Sequence, residues 1–463
     1  MKMKRLMVAA TVLASGVAFM TALSAYAEVS PEKLKWWTES RFGMFIHFGI
    51  YSTPARGEWV QSRETIAPKD YETYFEQFDS DLYNPVEWAK AAKAAGMKYV
   101  VLTAKHHEGF CLWDTKFTDY KVTNTLYGKD LLKPFVDAFR AEGLRVGFYY
   151  SLLDWHHPDY TIDVNHPLHP KDDAEWNDPK AYIPLNAGRD MAKYRQYMKD
   201  QVRELLTDFG RIDIMWFDFS YPKHHATPKG RADWDSEGLL KMARSIQPWI
   251  IVNDRLDLKD KPWGWDFRTP EQFRMPVWPT VNGKRVPWET CQTFSGAWGY
   301  NREQMTWKSS AQLLELLAST VSKGGNLILN VGPTARGEFD ARAKERLAAM
   351  GRWMRTNGRA IYGCTAAPEG LAAPEYSVLT YNPNTNRLYV HLVFYPMGAL
   401  ACPFGEKIKW ARFLHDGSEV RVNPLNKYLT EYYPEVPKHN FILPVVKPDV
   451  EMPVIEVQLK DKE

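Results

Sequence analysis

The sequence has few cysteines and almost no excess charge. Its four cysteines, Cys111, Cys291, Cys364 and Cys402, show no CxxC spacing, which argues against a zinc cluster. Four cysteines allow three pairings in an exported chain, but we expect buried free thiols. A net charge of +3 on 463 residues gives no reason to expect a nucleic-acid partner. No G-x-G-x-x-G opens a helix after the first predicted strand, so a dinucleotide-binding fold has no support.

Long apolar runs are also absent, except at the N-terminus. Three basic residues within the first five positions precede the apolar stretch 6–23, and Ala25-Tyr26-Ala27 follows as an A-x-A cleavage site. We therefore expect residues 1–27 to be a cleaved signal peptide and the mature protein to be periplasmic or secreted, with no membrane attachment. A retained membrane anchor is the alternative. The A-x-A sequence and the polar residues after it favour cleavage.

Aromatic residues, in contrast, are abundant: the chain has 18 Trp, 24 Tyr and 22 Phe. Such residues can line a cleft that stacks on the apolar faces of sugars, although most of them belong in an aromatic-rich core. The length of 463 residues exceeds that of one ordinary core, so we expect two domains.

The first part of the chain repeats one pattern: a helix, a glycine, a short apolar strand and a polar loop. Six such strands are predicted near positions 45, 101, 147, 214, 251 and 328. Strands that alternate with helices indicate parallel βα units. We predict an α/β fold over residues 28–363, a (β/α)8-like TIM barrel with one or two irregular strands. A doubly wound open sheet is the alternative.

The pattern changes near residue 364. Short β-like runs separated by turns then predict a C-terminal antiparallel β-sandwich over residues 364–463. The four runs are Ser377–Tyr381, Arg387–Phe394, Ile408–Phe413 and Val454–Leu459. We expect the proline-rich stretch 433–448 to be irregular coil.

Polar side chains follow several of the predicted strands. They are His47, His106-His107, Tyr150, Asp218 and Asn253-Asp254-Arg255. The C-terminal ends of barrel strands carry the active sites of such folds, so together these residues indicate a site. Any one of them alone could be a core residue or a loop cap. His106 and His107 are adjacent and on a strand would point to opposite faces, a poor geometry for chelation. We expect no metal and no cofactor.

A two-carboxylate mechanism needs a second acid beside Asp218. Candidates on the loops that follow are Glu237, Asp254, Asp266, Glu271 and Glu289. The stretch 263–273 has neither helix nor strand periodicity, so we expect a loop folded over the site. An acid on that loop could be partly desolvated and keep its proton near neutral pH. Glu271 follows Pro270, however, and could instead cap the start of a helix.

Nine stretches of the sequence carry a family resemblance. They are Arg41–Gly49, Gly57–Trp59, Thr103–Phe110, Phe148–Ser151, Trp216–Asp218, Asn253–Arg255, Trp288-Glu289 with Trp298–Asn301, and Gly324–Pro333. In order and number they resemble the α-L-fucosidases of glycoside hydrolase family 29 over nearly all of the mature length. The resemblance implies an exo-acting, retaining α-L-fucosidase whose partner is a fucosylated oligosaccharide or glycoconjugate.

The resemblance also implies roles for individual residues. Asp218 would be the nucleophile and Glu271 the proton donor, with Glu289 as the competing acid. The residues expected to line the fucose pocket are His47, Glu58, Trp59, His106, His107, Tyr150, Trp216, Arg255 and Trp298. The chain departs from some relatives at Phe219, where they carry Gly, and in the long loop 154–188. Both departures concern the region beyond the fucose ring.

Three other functions remain open at this point. A metal-dependent hydrolase could bind a divalent ion through His106, Asp218 and His156 or His157, and a chelator would separate it from a carboxylate mechanism. A carbohydrate-binding protein without catalysis is the second. An enzyme acting on α-L-galactosides, which differ from α-L-fucosides by one hydroxyl, is the third. Linkage preference and disulfide pairing are not determined, and the sequence leaves open a homo-oligomer.

Overall fold

The computed structural model describes residues 31–170, 180, 183–224 and 227–461. The expected signal peptide, residues 1–27, lies outside the described residues. Across the ranges just given, we find no helix with both the length and the apolar character needed to cross a bilayer.

Helices and strands alternate from the first described residue to α10, and strands dominate after it. The helices are α1 (Pro31–Ser40), α2 (Val60–Arg63), α3 (Pro68–Glu76), α4 (Pro85–Ala94), α5 (Leu132–Ala141), α6 (Met191–Thr207), α7 (Arg231–Trp234), α8 (Ser236–Ile246), α9 (Ser310–Val321), α10 (Ala341–Asn357) and α11 (Lys427–Tyr432). The strands are β1 (Phe42–Ile46), β2 (Tyr99–Lys105), β3 (Arg145–Ser151), β4 (Ile214–Asp218), β5 (Ile251–Val252), β6 (Thr280–Val281), β7 (Lys284–Arg285), β8 (Glu289–Thr293), β9 (Asn326–Val331), β10 (Ser377–Asn382), β11 (Arg387–Leu392), β12 (Ala399–Cys402), β13 (Ile408–Phe413), β14 (Val422–Pro424), β15 (His439–Ile442) and β16 (Val454–Leu459).

Seven strands form one parallel sheet in the order β5-β4-β3-β2-β1-β9-β8. The segment 266–272 lies between the two outermost strands: Phe267 bridges Asn253 after β5, and Glu271 bridges Cys291 of β8, both in parallel. This segment occupies the eighth place, so the predicted (β/α)8-like barrel is confirmed. The stretch 263–273 contains no helix or strand, only single bridges to its neighbours, so it is a loop as expected, and it carries Glu271 to the cavity.

Antiparallel strands make up the C-terminal part. One sheet has the order β10-β11-β16-β13 and a second the order β12-β15-β14, which confirms the predicted sandwich. Part of the stretch 433–448 is strand β15, so the expectation of coil throughout it is wrong. Strands β14 and β15 are only three and four residues long, too short for a periodic signal. The boundary at residue 364 stays a prediction.

The barrel has two hydrophobic cores, one on each face of its sheet. The inner core fills the barrel with residues that include Phe45, Tyr149 and Trp216. The outer core, with Phe148 and Tyr150 among its residues, lies between the strands and the helices. Successive side chains of a strand point to opposite faces, so Tyr149 and Tyr150 belong to different cores. Both faces are apolar because both are covered.

Helix α4 shows how the sequence sets the ends of a helix. The Asn84 side chain accepts hydrogen bonds from the backbone N–H groups of Val86 and Glu87, and Pro85 occupies the first helical position. Gly96 follows with φ of 91°, a conformation that glycine adopts without strain. The chain can therefore turn at once into β2 and deliver His106 to the rim of the barrel.

A buried arginine ties the barrel to the start of the C-terminal part. The Arg41 side chain donates to the carbonyl oxygen of Cys364 at 2.7 Å, to that of Gly324 at 2.7 Å and to Asn326 Oδ1 at 3.3 Å. Arg41 is only 6% exposed, and burial lowers its pKa to about 10. All four cysteines are buried free thiols, as we expected.

We predict that Arg41→Met lowers the free energy of unfolding by about 3 kcal/mol, because several buried oxygens lose their donor. Urea unfolding of both proteins measures this loss. The control is Arg302→Ala, since that side chain is 68% exposed and pairs with the exposed Glu303, and its effect should stay within about 0.5 kcal/mol. Equal effects of the two substitutions would contradict the role of Arg41.

Candidate active site

A cavity opens at the C-terminal ends of the barrel strands. Strands β1, β3, β4 and β8 and several loops contribute side chains to it. Its lining consists of Phe45, His47, Trp59, His106, His107, Tyr149, Trp216, Asp218, Phe219, Glu271, Cys291 and Trp298. The structure thus brings together eight of the residues that the sequence analysis selected, namely His47, Trp59, His106, His107, Trp216, Asp218, Glu271 and Trp298.

Asp218 is the last residue of β4 and is 8% exposed. Its Oδ1 accepts from Arg255 Nη1 and from the Phe219 backbone N–H, both at 2.9 Å, and its Oδ2 accepts from the Tyr149 hydroxyl at 2.8 Å. Burial raises the pKa of Asp218 above its ordinary value, while Arg255 and the bond from Tyr149 act in the opposite direction. The carboxylate is therefore held in one orientation by three donors.

Arg255 holds a second carboxylate as well. Its Nη2 donates to Glu271 Oε2 at 2.9 Å, so neighbouring nitrogens of one guanidinium bind Asp218 and Glu271. Burial lowers the pKa of Arg255, but the two carboxylates more than offset that effect and the net shift is upward. The side chain of Glu271 is 43% exposed, so it is partly withdrawn from water, as an acid on this loop was expected to be.

Three histidines line one side of the cavity. His47 Nδ1 is 2.6 Å from Asn330 Oδ1, and His107 Nδ1 is 2.7 Å from Ser151 Oγ. Burial and then the neighbouring His106 lower the pKa values of His47 and His107 well below the ordinary value. These two rings are thus neutral at neutral pH, and each can donate or accept a hydrogen bond to a sugar hydroxyl.

The rings of His106 and His107 lie 3.9 Å apart and both line the cavity. Our expectation that they point to opposite faces is wrong, because β2 ends at Lys105 and the alternation of a strand ends with it. Among the residues that the structure describes, no group of three or more His, Cys, Asp or Glu side chains is arranged to hold a metal ion.

Aromatic rings form the other walls. The Trp298 ring lies 5.1 Å from that of His47, and the Phe219 ring lies 5.3 Å from that of Trp59. Phe219 has φ of 78°, a conformation that costs a bulky residue of order 1–3 kcal/mol and occurs mostly at functional sites. The Phe219 ring therefore lines the cavity at a conformational cost.

The structure corrects the expected role of Tyr150. Its hydroxyl donates to Gln201 Oε1 at 2.8 Å in the outer core, away from the cavity. The neighbouring Tyr149 lines the cavity instead, since it pairs in register with Trp216 and points to the same face. Both positions carry tyrosine, so composition could not tell which of them faces inward.

Two acids from the sequence analysis also lie elsewhere. Glu58 Oε2 accepts from the Gly299 backbone N–H at 2.8 Å, and Glu58 is not part of the cavity lining. Glu289 is not on a loop, because it is the first residue of β8. It is fully buried at the N-terminal end of the barrel and is bonded by the Tyr99 hydroxyl. Neither acid reaches the cavity.

Arg255 is not part of the cavity lining either. Its guanidinium is bonded to the two acids and to Thr269. Sequence reasoning missed Phe45, Tyr149 and Cys291 as lining residues. The signal for Phe45 was its place two residues before His47, on the same face of a strand. Cys291 lies in a strand that the sequence did not reveal.

A parallel β/α barrel with two carboxylates joined by one arginine at its C-terminal rim, among aromatic walls, is typical of glycoside hydrolases. Comparisons with known proteins agree. The family model described as alpha-L-fucosidase matches residues 22–359. The plasma alpha-L-fucosidase of Homo sapiens is 30% identical over 355 residues, which are 71% of this chain and 68% of that protein.

Solved structures give the same result. Alpha-L-fucosidase isoenzyme 1 from Paenibacillus thiaminolyticus has a TM-score of 0.83 and 43% identity, over 93% of this chain and 99% of that chain. A family 29 alpha-L-fucosidase from Bacteroides thetaiotaomicron, trapped as a covalent intermediate with 2-fluoro-fucosyl fluoride, has a TM-score of 0.78 and 26% identity over 94% and 97%. The chain belongs to the α-L-fucosidases of glycoside hydrolase family 29.

We predict that Tyr149→Phe lowers kcat/KM for 4-nitrophenyl α-L-fucoside about tenfold, because Asp218 loses one charge-assisted hydrogen bond. That bond lowers the pKa of Asp218, so its loss raises the pKa. The carboxyl then keeps its proton to higher pH, and the acidic limb of the pH profile moves upward.

The matched control is Tyr150→Phe, which removes a hydroxyl bonded to Gln201 in the outer core. Its pH profile should coincide with that of the wild type, and its activity should stay within about twofold while stability falls by about 1 kcal/mol. A shifted acidic limb in this variant, or an unshifted one in Tyr149→Phe, would show that the tyrosines are assigned to the wrong faces.

Proposed function

We propose that this protein hydrolyses terminal α-L-fucosyl residues of glycans as an exo-acting, retaining enzyme, with Asp218 as the nucleophile and Glu271 as the acid and base. The observation that carries the proposal is the guanidinium of Arg255, which binds both carboxylates at 2.9 Å. Retaining glycosidases need two carboxyl groups about 5–5.5 Å apart. One side chain that bonds both of them supports such a close pair.

In the first step, an oxygen of Asp218 attacks the anomeric carbon of the bound fucosyl residue. The bond from that carbon to the aglycone oxygen breaks, and Glu271 gives its proton to this oxygen. Arg255 and Tyr149 keep Asp218 ionised and oriented before the attack, because both favour the charged form. The result is a β-linked fucosyl ester of Asp218 and a free aglycone.

In the second step, Glu271 takes a proton from water, whose oxygen attacks the same carbon and displaces the carboxylate of Asp218. Two inversions give overall retention. Exposure of Glu271 suits this double role. Water reaches the side chain once the aglycone has left, and a bound aglycone would supply the desolvation that favours its protonated form.

Support for the sugar pocket comes from its lining. His47, His106 and His107 offer ring nitrogens to the sugar hydroxyls. Trp59 and Trp298 present apolar ring faces against which the C5-methyl group of a 6-deoxy sugar can pack. The cavity is closed on its floor by Trp216, which suits removal of a terminal residue, since a chain could not pass through.

The experiment measures hydrolysis of 4-nitrophenyl α-L-fucoside by Asp218→Ala and Glu271→Ala, with and without azide. We expect Asp218→Ala to lose at least about 10³-fold in kcat, and azide to restore turnover with β-L-fucosyl azide as the product. Glu271→Ala should lose less with this activated leaving group, because nitrophenolate departs without full protonation. Azide should then give α-L-fucosyl azide by attack on the enzyme-bound intermediate.

Glu345→Ala is the control, a carboxylate that is 80% exposed on α10, and its kcat should equal that of the wild type. Formation of α-L-fucosyl azide by Glu289→Ala, instead of Glu271→Ala, would overturn the acid assignment. Full activity of Asp218→Ala would overturn the mechanism itself.

We also infer that the mature enzyme acts in the periplasm or outside the cell. The basic start, the apolar stretch 6–23 and Ala25-Tyr26-Ala27 support this inference. N-terminal sequencing of protein from a bacterial periplasmic fraction should begin at Glu28. Ala27→Arg blocks the small-residue site, so it should leave the uncleaved chain in the membrane fraction. An uncleaved wild-type chain would contradict the inference.

A further inference from the structure

A buried carboxyl group lies beneath the floor of the active-site cavity. Glu289, the first residue of β8, is 0% exposed and accepts a hydrogen bond from the Tyr99 hydroxyl. Burial raises its pKa to about 7, and hydrogen bonds from Tyr99, Trp37 and Trp216 act in the opposite direction. The proposed mechanism makes no use of this group, although removing a carboxyl group from water is costly.

The second carboxylate oxygen of Glu289 has a specific surrounding. Glu289 Oε1 and the indole nitrogens of Trp37 and Trp216 are all buried, and none of the three has a conventional hydrogen-bond partner among the described residues. Buried donors and acceptors are nearly always paired in folded proteins. Both indoles act on Glu289 as donors and lower its pKa, so two buried donors and one buried acceptor without conventional bonds are complementary neighbours.

Trp216 connects this buried group with the reacting carboxylates. The guanidinium carbon of Arg255 lies 4.9 Å from the centre of the Trp216 ring. The Tyr149 ring stacks on Trp216 at 5.7 Å with an angle of 20°. Arg255 and Tyr149 are the two side chains that bond Asp218. One indole ring therefore contacts both side-chain donors of Asp218, and its N–H acts as a donor on the Glu289 carboxyl group.

We propose that Glu289 is a positioning residue for the hydrolysis: it fixes the plane of Trp216 and thereby the donors that orient Asp218. The inference rests on the proposed function, since it takes Asp218 to be the nucleophile. Trp37 differs from Trp216 in this respect. Its indole also faces Glu289, but its ring packs on Phe267 in the lower part of the barrel. Of the two indoles, that of Trp216 is the one that lines the active-site cavity.

The test is a double-mutant cycle with Glu289→Gln and Trp216→Phe, read as kcat and KM for 4-nitrophenyl α-L-fucoside. Glutamine keeps the side-chain volume, but its amide NH2 group is itself a donor and lies among the donors Tyr99, Trp37 and Trp216. We expect Glu289→Gln alone to lower kcat about fivefold, the equivalent of one hydrogen bond, with KM changed less than twofold. In the Trp216→Phe background, which has no indole N–H, the same substitution should change kcat less than twofold.

The matched control is Glu456→Gln, a second buried carboxylate that is 1% exposed and pairs with Arg387 and Arg412 in the sandwich. It should lower the melting temperature and leave kcat unchanged. Glu289→Met keeps the volume without any polar atom, and it replaces Glu289→Gln if that variant does not fold. It should lower kcat by at least the same factor.

Equal losses of kcat in both backgrounds would overturn the proposal, as would a fall in melting temperature with kcat intact, which is the behaviour of a purely structural residue. Azide separates these outcomes from a failure of the proposed function. A positioning residue gives no fucosyl azide, whereas α-L-fucosyl azide from Glu289→Gln would make Glu289 the acid. Full activity of Asp218→Ala would instead remove the nucleophile on which the inference rests.

Discussion

The active site depends on two ion pairs that share Arg255, one with the buried Asp218 and one with the partly exposed Glu271. Asp218 is 8% exposed, and a carboxylate at such a depth is stable only if fixed donors replace water. Arg255 Nη1 and the Tyr149 hydroxyl provide them within 2.9 Å. Arg255 in turn stays charged at this depth because Asp218 and Glu271 raise its pKa. Arg255 thus stabilises both carboxylates, whose like charges repel each other, and holds them close together.

The barrel strands explain why these groups meet. In a parallel sheet, residues that pair in register point to the same face, so Tyr149 lies beside Trp216 and Ser151 lies beside Asp218. Below this layer the interior is filled by aromatic rings and Ile side chains. Rigid packing beneath the cavity leaves few alternative positions for Trp216. The apolar core therefore fixes the positions of the polar groups of the site.

Much of this arrangement could be predicted from the sequence. The helix, glycine and strand repeat predicted six strands of the barrel, and the motif resemblance placed eight of the cavity residues. Local pattern could not assign the faces of Tyr149 and Tyr150, which depend on the register with β4. It also failed for His106 and His107, whose rings share the cavity because β2 ends at Lys105. Such features are set by neighbouring strands, not by adjacent residues.

The segment that fills the eighth place in the barrel is another feature that local pattern could not predict. Segment 266–272 contains Pro270 and exposes Glu271, so no periodicity marks it. It joins the barrel through single parallel bridges, and the Gln272 backbone N–H donates to the Cys291 carbonyl oxygen of β8 at 3.0 Å. Strand β8 begins at Glu289, and its residue Cys291 belongs to the inner core of the barrel. Strand β8 thus contains Glu289, and the bridge at Cys291 holds Glu271 where it can accept from Arg255.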